Sequence, residues 1–354
     1  MKILHVITSL EIGGAEKLIT DIVPKLIQKG NEVDVCLFNG VDTNFKKILE
    51  EAGVKIICLG YNCGVYNPTF IIKLHKLMKQ YDIVHTHNGA PEYFGALASL
   101  FSHTLIVYTE HNTTDRFREK KWFRPICTWV YKRYERVICI SDKAEYNLKK
   151  LIPSLQNVLT IYNGVDISSF HNAKSIAQMR QNGKKVVIMV AAFRPQKDQD
   201  TLINAFAFLP NDKYELWLVG DGGRRAEIEV LAEGRENVKF LGVRADIPEL
   251  LNTADIVVMS SHYEGLSLSS VEGMSVGKPF IASDVDGLRE VVDGYGILVP
   301  HQNAKALADE IIHLSTDEDY YRHIAERCWQ RAQMFDIQKM VDEYQQVYDE
   351  IMAK

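Results

Sequence analysis

No apolar run in the 354 residues approaches the roughly 20 that a membrane-crossing helix needs. The N-terminal MKILHVITSLEIGG has only a short apolar stretch leading into a Gly-rich loop, so no cleavable signal is expected. Cysteine is scarce: Cys36, Cys58, Cys63, Cys127, Cys139 and Cys328 are scattered without a CxxC pair. Cys36 and Cys139 fall in strand-like runs, where a free thiol behaves as a small apolar residue. The expected setting is therefore a reduced, cytoplasmic compartment, and no zinc site is expected. Neither GxGxxG nor GxxxxGK[ST] occurs, so dinucleotide-dependent dehydrogenases and P-loop enzymes lose support. No internal repeat or low-complexity segment stands out, and no nucleic-acid partner is expected.

Apolar residues make up 46% of the chain and charged ones 25%, as in a soluble globular protein, and the length suits two domains. The net charge of −5 conceals an asymmetry. Met1 to Asp166 carries 21 Lys/Arg against 17 Asp/Glu, and the remainder 20 against 29. The basic excess concentrates in Arg116 to Arg136, with eight basic and two acidic residues beside Trp122, Phe123 and Trp129. Such a helix can lie on an anionic membrane, here the inner face of the cell membrane. A solvated helix with its aromatics in the core satisfies the same pattern.

Strand-like runs alternate with helical segments along most of the chain. After Lys2–Ile7 they fall at Glu32–Phe38, Val54–Cys58, Asp82–His85, Thr104–Tyr108, Arg136–Ile140 and Val158–Ile161. A polar stretch then holds the expected linker, near Asn163 to Phe170. A second series follows at Lys185–Val190, Glu215–Val219, Val238–Leu241, Asp255–Met259, Phe280–Ser283 and Ile297–Val299. Strand–helix alternation with short connections predicts parallel sheets covered on both faces. The expectation is an α/β protein of two Rossmann-like domains, 1–165 and 166–335, facing a cleft. From Asn303 the pattern is helical, and a break at Phe335–Asp336 predicts a last helix, 336–354, that completes the first domain.

The stretch Ser260 to Pro279, SSHYEGLSLSSVEGMSVGKP, organises the reading. A strand ends at Met259, a polar loop follows, and a helix is predicted from Leu268. Glu264 lies in the loop and Glu272 about one turn into the helix. Ligands bind at such strand ends in open parallel sheets, and a helix start offers unpaired N–H groups to an anion. Two acids there repel phosphate but suit sugar hydroxyls, whose hydrogen bonds they accept. The implied ligand is a sugar nucleotide.

Other candidates sit at other strand ends. Gly13 and Gly14 could let backbone approach a ligand, or simply make a tight turn. His85 and His87 end the strand DIVHTHN. They are expected on opposite faces unless the strand stops at Thr86, which leaves His87 to look into the cleft. No third metal ligand is near them at the usual spacing. His111, at the next strand end, is a weaker candidate. Arg194 and Lys197, in VAAFRPQKDQD, could converge on a diphosphate, or could be two solvated charges. Asp198 or Asp200 could cap the helix that follows. Gly220-Asp221-Gly222-Gly223 and Gly287 are further turns at strand ends, and Glu290 decorates the next helix.

In this order and spacing, GGAE, HTHN, FRPQKD, VGDGG, EGLSLSSVE and DGLREVV resemble the family 4 retaining glycosyltransferases of the GT-B fold. The resemblance covers essentially the whole chain, and the Glu-x7-Glu element is its most specific part. It implies that Glu272 holds the ribose hydroxyls and Glu264 contacts the donor sugar or its phosphate side. Arg194 and Lys197 would clamp the diphosphate, helped by the backbone near Leu268 and Ser269 and by the turns at Gly220 and Gly287. Gly14 would close a loop on the phosphates, and His87 would lie beside the transferred sugar. Ser267, Ser269 and Ser270 replace more apolar residues, and Asp286 stands where a second glycine is common.

The implied reaction is hexosyl transfer from a nucleotide diphosphate sugar, with UDP the expected carrier, to a glycan or lipid-linked glycan in surface polysaccharide synthesis. Cleavage at the anomeric carbon leaves charge on a diphosphate, which paired cations and a helix dipole stabilise. With those cations in place, neither a metal nor a further cofactor is demanded. A nucleotide-sugar epimerase of the same architecture and a non-catalytic two-lobed sugar-binding protein are the rival readings.

Overall fold

The computed structural model of the chain describes every residue except 12, 63, 101, 112–122 and 181–182. Two compact units make up the chain: Met1–Gly164 with Ile337–Lys354, and Val165–Asp336.

Seven strands build the sheet of the first unit: β1 (Lys2–Ile7), β2 (Glu32–Leu37), β3 (Ile56–Cys58), β4 (Ile83–His87), β5 (Leu105–Glu110), β6 (Arg136–Cys139) and β7 (Val158–Thr160). They lie in the order β3-β2-β1-β4-β5-β6-β7, every neighbouring pair parallel. Side chains alternate along each strand and so feed two apolar clusters. Leu4, Val6, Val84, Ile106 and Tyr108 enter one, with Phe70, Phe94 and Tyr131. Ile3, Ile7, Ile83 and Val107 enter the other, with Leu18, Ile22, Tyr344 and Tyr348. The last helix, Ile337–Met352, buries Ile337, Met340, Val341, Tyr344, Val347, Tyr348 and Ile351. Three- and four-residue spacings put these on one stripe, which covers the second cluster. A short turn, Gln333–Phe335, precedes this helix at the expected break.

The second unit repeats the plan with β8 (Lys185–Val190), β9 (Tyr214–Val219), β10 (Val238–Gly242), β11 (Ile256–Met259), β12 (Phe280–Ser283) and β13 (Ile297–Val299). Its order, β10-β9-β8-β11-β12-β13, is again parallel throughout. Both sheets grow outward in one direction from their first strand, then resume on its other side. Loops leaving the carboxyl ends at that reversal diverge and leave a crevice. The reversals fall at β1/β4 and β8/β11. Two strands run two residues past their expected ends: β4 reaches His87 and β5 reaches Glu110. That extension decides where the histidines point.

Candidate active site

In the second unit the loops after β8 and β11 meet at the reversal. Lys197 ends a single 3-10 turn, Pro195–Lys197, and its Nζ lies 2.6 Å from Glu264 Oε1. The same oxygen accepts from Ser261 Oγ at 2.6 Å, while Oε2 has only a long bond from Gln196 Nε2, 3.4 Å. The two charged side chains are 17% and 8% exposed, so both have lost most of their water. A pair this dry must be held by further donors to offset its desolvation. Ser261 and Gln196 supply them. Two ammonium donors of Lys197 have no acceptor among the described residues, and Glu264 Oε2 has capacity beyond its one long bond.

The surrounding backbone is fixed by the same loops. Asp198, at φ 47°, caps the helix Gln199–Ala205 by accepting from Thr201 N, 3.2 Å, and Thr201 Oγ1, 2.6 Å. Asp200 instead accepts both ends of the Arg224 guanidinium, at 2.6 and 3.0 Å, which holds its carboxyl below the usual range. His262 N donates to Gln196 O at 2.8 Å, joining the two loops. The helix Leu268–Ser275 is capped by Ser267, whose Oγ accepts from Ser270 N at 3.3 Å. The N–H groups of Leu268 and Ser269 have no acceptor among the described residues, as expected of a first turn. Glu272 is half-buried in the same helix. The Arg194 side chain is exposed and makes no hydrogen bond or ion pair with the described residues, so it does not join the Lys197–Glu264 contact.

Two of the glycines have reasons internal to the protein. At Gly287, φ 73°, a Cβ would lie 2.3 Å from the carbonyl oxygens of Glu264 and Gly265. At Gly220, φ 128°, it would lie 2.1 Å from Ala191 O. Both let neighbouring loops pack, which is how they shape the site. Asp284 and Asp286, after β12, put two carboxylates two residues apart, but Asp284 accepts from Arg289 Nε at 2.7 Å.

Gly14 and His87 belong to the first unit. Gly14 begins the helix Gly14–Gln28, and a Cβ there would meet nothing within 4 Å. No packing demand in the unit explains that glycine. His87 and His85 stand on one face, their ring centroids 4.3 Å apart, as the two-residue period of a strand requires. The expectation of opposite faces is thereby corrected. The expectation that no third ligand lies near fails too. The register of β1 on β4 sets His5 beside His85, and nitrogens of His5, His85 and His87 come within 4.8 Å of one another. Separation in sequence hid this.

These rings are threaded by hydrogen bonds. His5 Nδ1 lies 2.9 Å from His87 Nε2, and His87 Nδ1 lies 3.1 Å from His111 Nε2. His85 is held by Tyr348 OH at 2.6 Å and Thr109 Oγ1 at 2.7 Å. His5 Nε2 is buried without a partner. A neutral imidazole has one donor and one acceptor, so the protons along His5–His87–His111 must all point the same way. Outward donation leaves His5 Nε2 a bare acceptor, which costs less than an orphaned N–H. Burial pushes the His5 imidazole down to about 3 and His111 to about 4, and lowers His85 and His87 well below the ordinary value. Neither nitrogen of His87 is free as the unit stands. Nearby, Glu16 Oε1 accepts from Asn88 Nδ2 at 3.2 Å, tying the Gly14 helix to the end of β4.

Of the basic stretch, 112–122 lies outside the described residues, including Arg116, Lys120, Lys121 and Trp122. Beyond them the stretch forms the helix Arg124–Arg133 and enters β6 at Arg136, with Ile126 and Trp129 exposed and Cys127, Val130 and Tyr131 buried. Trp129 is thus not a core residue. Among the described residues no helix is long and apolar enough to cross a membrane.

Two parallel Rossmann-like sheets define the class, the GT-B architecture. Residues 12–169 match the family described as Glycosyltransferase Family 4, and residues 172–331 match Glycosyl transferases group 1. The chain belongs to these family 4 glycosyltransferases. A crystal structure of Anabaena Alr3699/HepE in complex with UDP superposes with a TM-score of 0.86 at 26% identity, covering 100% of both chains. The Escherichia coli UDP-Gal:alpha-D-GlcNAc-diphosphoundecaprenol alpha-1,3-galactosyltransferase is 26% identical, over 80% of this chain and 79% of its own. The Bacillus anthracis N-acetyl-alpha-D-glucosaminyl L-malate synthase is 23% identical, over 96% and 95%.

Proposed function

We propose that this glycosyltransferase moves a hexose or N-acetylhexosamine, with retention, from a UDP sugar to a glycan or lipid-linked glycan in surface polysaccharide assembly. The carrying observation is the 2.6 Å Lys197–Glu264 contact at the strand reversal of the second unit, beside the start of the helix Leu268–Ser275. UDP as carrier is supported by the ligand of the Anabaena protein and by the name of the Escherichia coli enzyme, which also mentions a diphosphoundecaprenol acceptor.

In this reading Lys197 turns its two open donors to the diphosphate, and Arg194, unpaired and exposed, swings in to share the charge. The N–H groups of Leu268 and Ser269 receive phosphate oxygens. Glu264 orients Lys197 through one oxygen and accepts a sugar hydroxyl with the other, while Glu272 takes the ribose hydroxyls. Gly14 admits the phosphates against backbone. His87 lies beside the transferred sugar, exchanging His111 for a hydroxyl. The bond from the anomeric carbon to phosphate oxygen breaks, and the acceptor oxygen bonds to the vacated face. A phosphate oxygen takes the acceptor's proton as UDP leaves. The two cations and the helix start stabilise the leaving charge, so the step is drawn without a metal or other cofactor. Peripheral contact with an anionic membrane through 116–136 is supported by exposed Ile126 and Trp129 beside Arg124.

Incubation with labelled nucleotide sugars, with and without a polyprenyl-diphosphate-linked glycan, tests the reading. It predicts UDP release that depends on the acceptor. Acceptor-free isomerisation of the sugar would mean an epimerase, and binding without turnover a sugar-binding protein.

A further inference from the structure

Three loops of the second unit converge on a point that the proposed transfer does not use. The loop after β8 brings Asp198, that after β11 brings His262, and that after β13 brings His301. Their ligand atoms lie within 4.8 Å of one another. His262 Nδ1 is 2.8 Å from His301 Nε2 and 3.5 Å from Asp198 Oδ2. Zinc bound at about 2.0–2.2 Å in a tetrahedral shell keeps its ligand atoms about 3.4 Å apart. An ion among these three therefore asks only for shifts of about an ångström, with the bond between the histidines opening to admit it.

The donor set is selective. Two imidazoles and one carboxylate suit zinc and its neighbours, whereas calcium and magnesium take shells made wholly of oxygen. The set is also supported from behind. Thr201 N and Oγ1 fix the Asp198 carboxylate, and Ser260 Oγ donates to Asp198 O at 2.8 Å. Outer partners of this kind orient metal ligands and raise affinity. Asp198 also keeps a left-handed backbone at φ 47°, a conformation that non-glycine residues retain where their surroundings over-determine it. The Asp198 side chain is 4% exposed and that of His262 31%, while His301 is exposed, so solvent reaches the point from one side. A water could complete the shell.

We propose that Asp198, His262 and His301 form a binding site for a divalent transition ion of the zinc class. The ion staples the loops after β8, β11 and β13. Asp198 directly follows Lys197, and His262 precedes Glu264 by two residues, so the staple fixes both loops that carry the ion pair. Binding of the ion does not depend on the transfer reaction. The buried cluster of His5, His85 and His87 is the poorer host: it offers no carboxylate, and its nitrogens other than His5 Nε2 are engaged. A double charge there would carry the full cost of desolvation.

The test uses the full-length chain stripped with EDTA and titrated with zinc chloride by calorimetry, with cobalt(II) as a visible-absorption probe. The expected result is one saturable site per chain, weakened at least about tenfold by His301→Ala and abolished by His262→Ala with His301→Ala. Zinc should raise the melting temperature of the wild type and leave that of the double variant unmoved. Melting of the double variant in EDTA at the wild-type temperature establishes that it folds, and His301→Gln repeats the comparison with a milder change. No saturable zinc binding by the wild type, or equal binding by the double variant, would overturn the proposal.

Discussion

The two units share one strand order yet fill the same place in opposite ways. At the β1/β4 reversal of the first unit stand His5, His85 and His87, uncharged and with no exposure. At the β8/β11 reversal of the second stands an ion pair, Lys197 with Glu264, whose side chains keep 17% and 8% exposure. A parallel sheet fixes where the crevice lies, but not what chemistry occupies it. In the first unit polar groups are spent on each other and on Tyr344 and Tyr348 of the last helix. In the second the pair is held by Ser261 and Gln196 and keeps two ammonium donors that no described residue accepts.

The difference should be largest under acid. Above the ordinary histidine value the rings are neutral folded or unfolded, and pH has no hold on them. Below about 6.5 the unfolded chain binds protons that the folded unit refuses, because burial holds His5 near 3 and His85 and His87 well below 6.5. Stability is lost as pH falls through that window, at about 1.4 kcal/mol per pH unit for each ring. Urea melts at stepped pH, with the histidine ring protons followed by NMR, should show the first unit failing before the second. Equal loss in both units would break the comparison.

Gly287→Ala sharpens it from the other side. A Cβ placed 2.3 Å from two carbonyl oxygens, at φ 73°, should destabilise the second unit by about 1–3 kcal/mol in a denaturant melt and leave the first unchanged. Smaller still is Tyr348→Phe. It removes the 2.6 Å bond to His85 and should lower the stability of the first unit by about 1 kcal/mol, with UDP affinity unaltered.

The architecture is legible in the sequence because buried parallel strands announce themselves as apolar runs between helical periods. The end of a strand such as β4 is not legible, since Thr86 and His87 carry no apolar signal although both are buried. Lys197 and Glu264 were legible as residues at strand ends. Their partners Ser261 and Gln196 were not, because small polar residues in loops look alike until the loops meet. His5 hid inside KILHVI, a run that reads as plain core. Its neighbour His85 is 80 positions away, and only strand register joins them. Tyr344 and Tyr348 left a four-residue spacing that could have marked a shared face, but nothing named the histidine beneath it.

In the proposed transfer the ammonium of Lys197 serves the leaving diphosphate and is no mere surface charge. The most direct test of that role is the steady-state rate of UDP release from a UDP sugar and acceptor by the wild type and by Lys197→Ala, with the fold of the variant checked by its melting curve. Turnover should fall about 10²–10³-fold with folding retained. Turnover within a few-fold of the wild type would contradict that role.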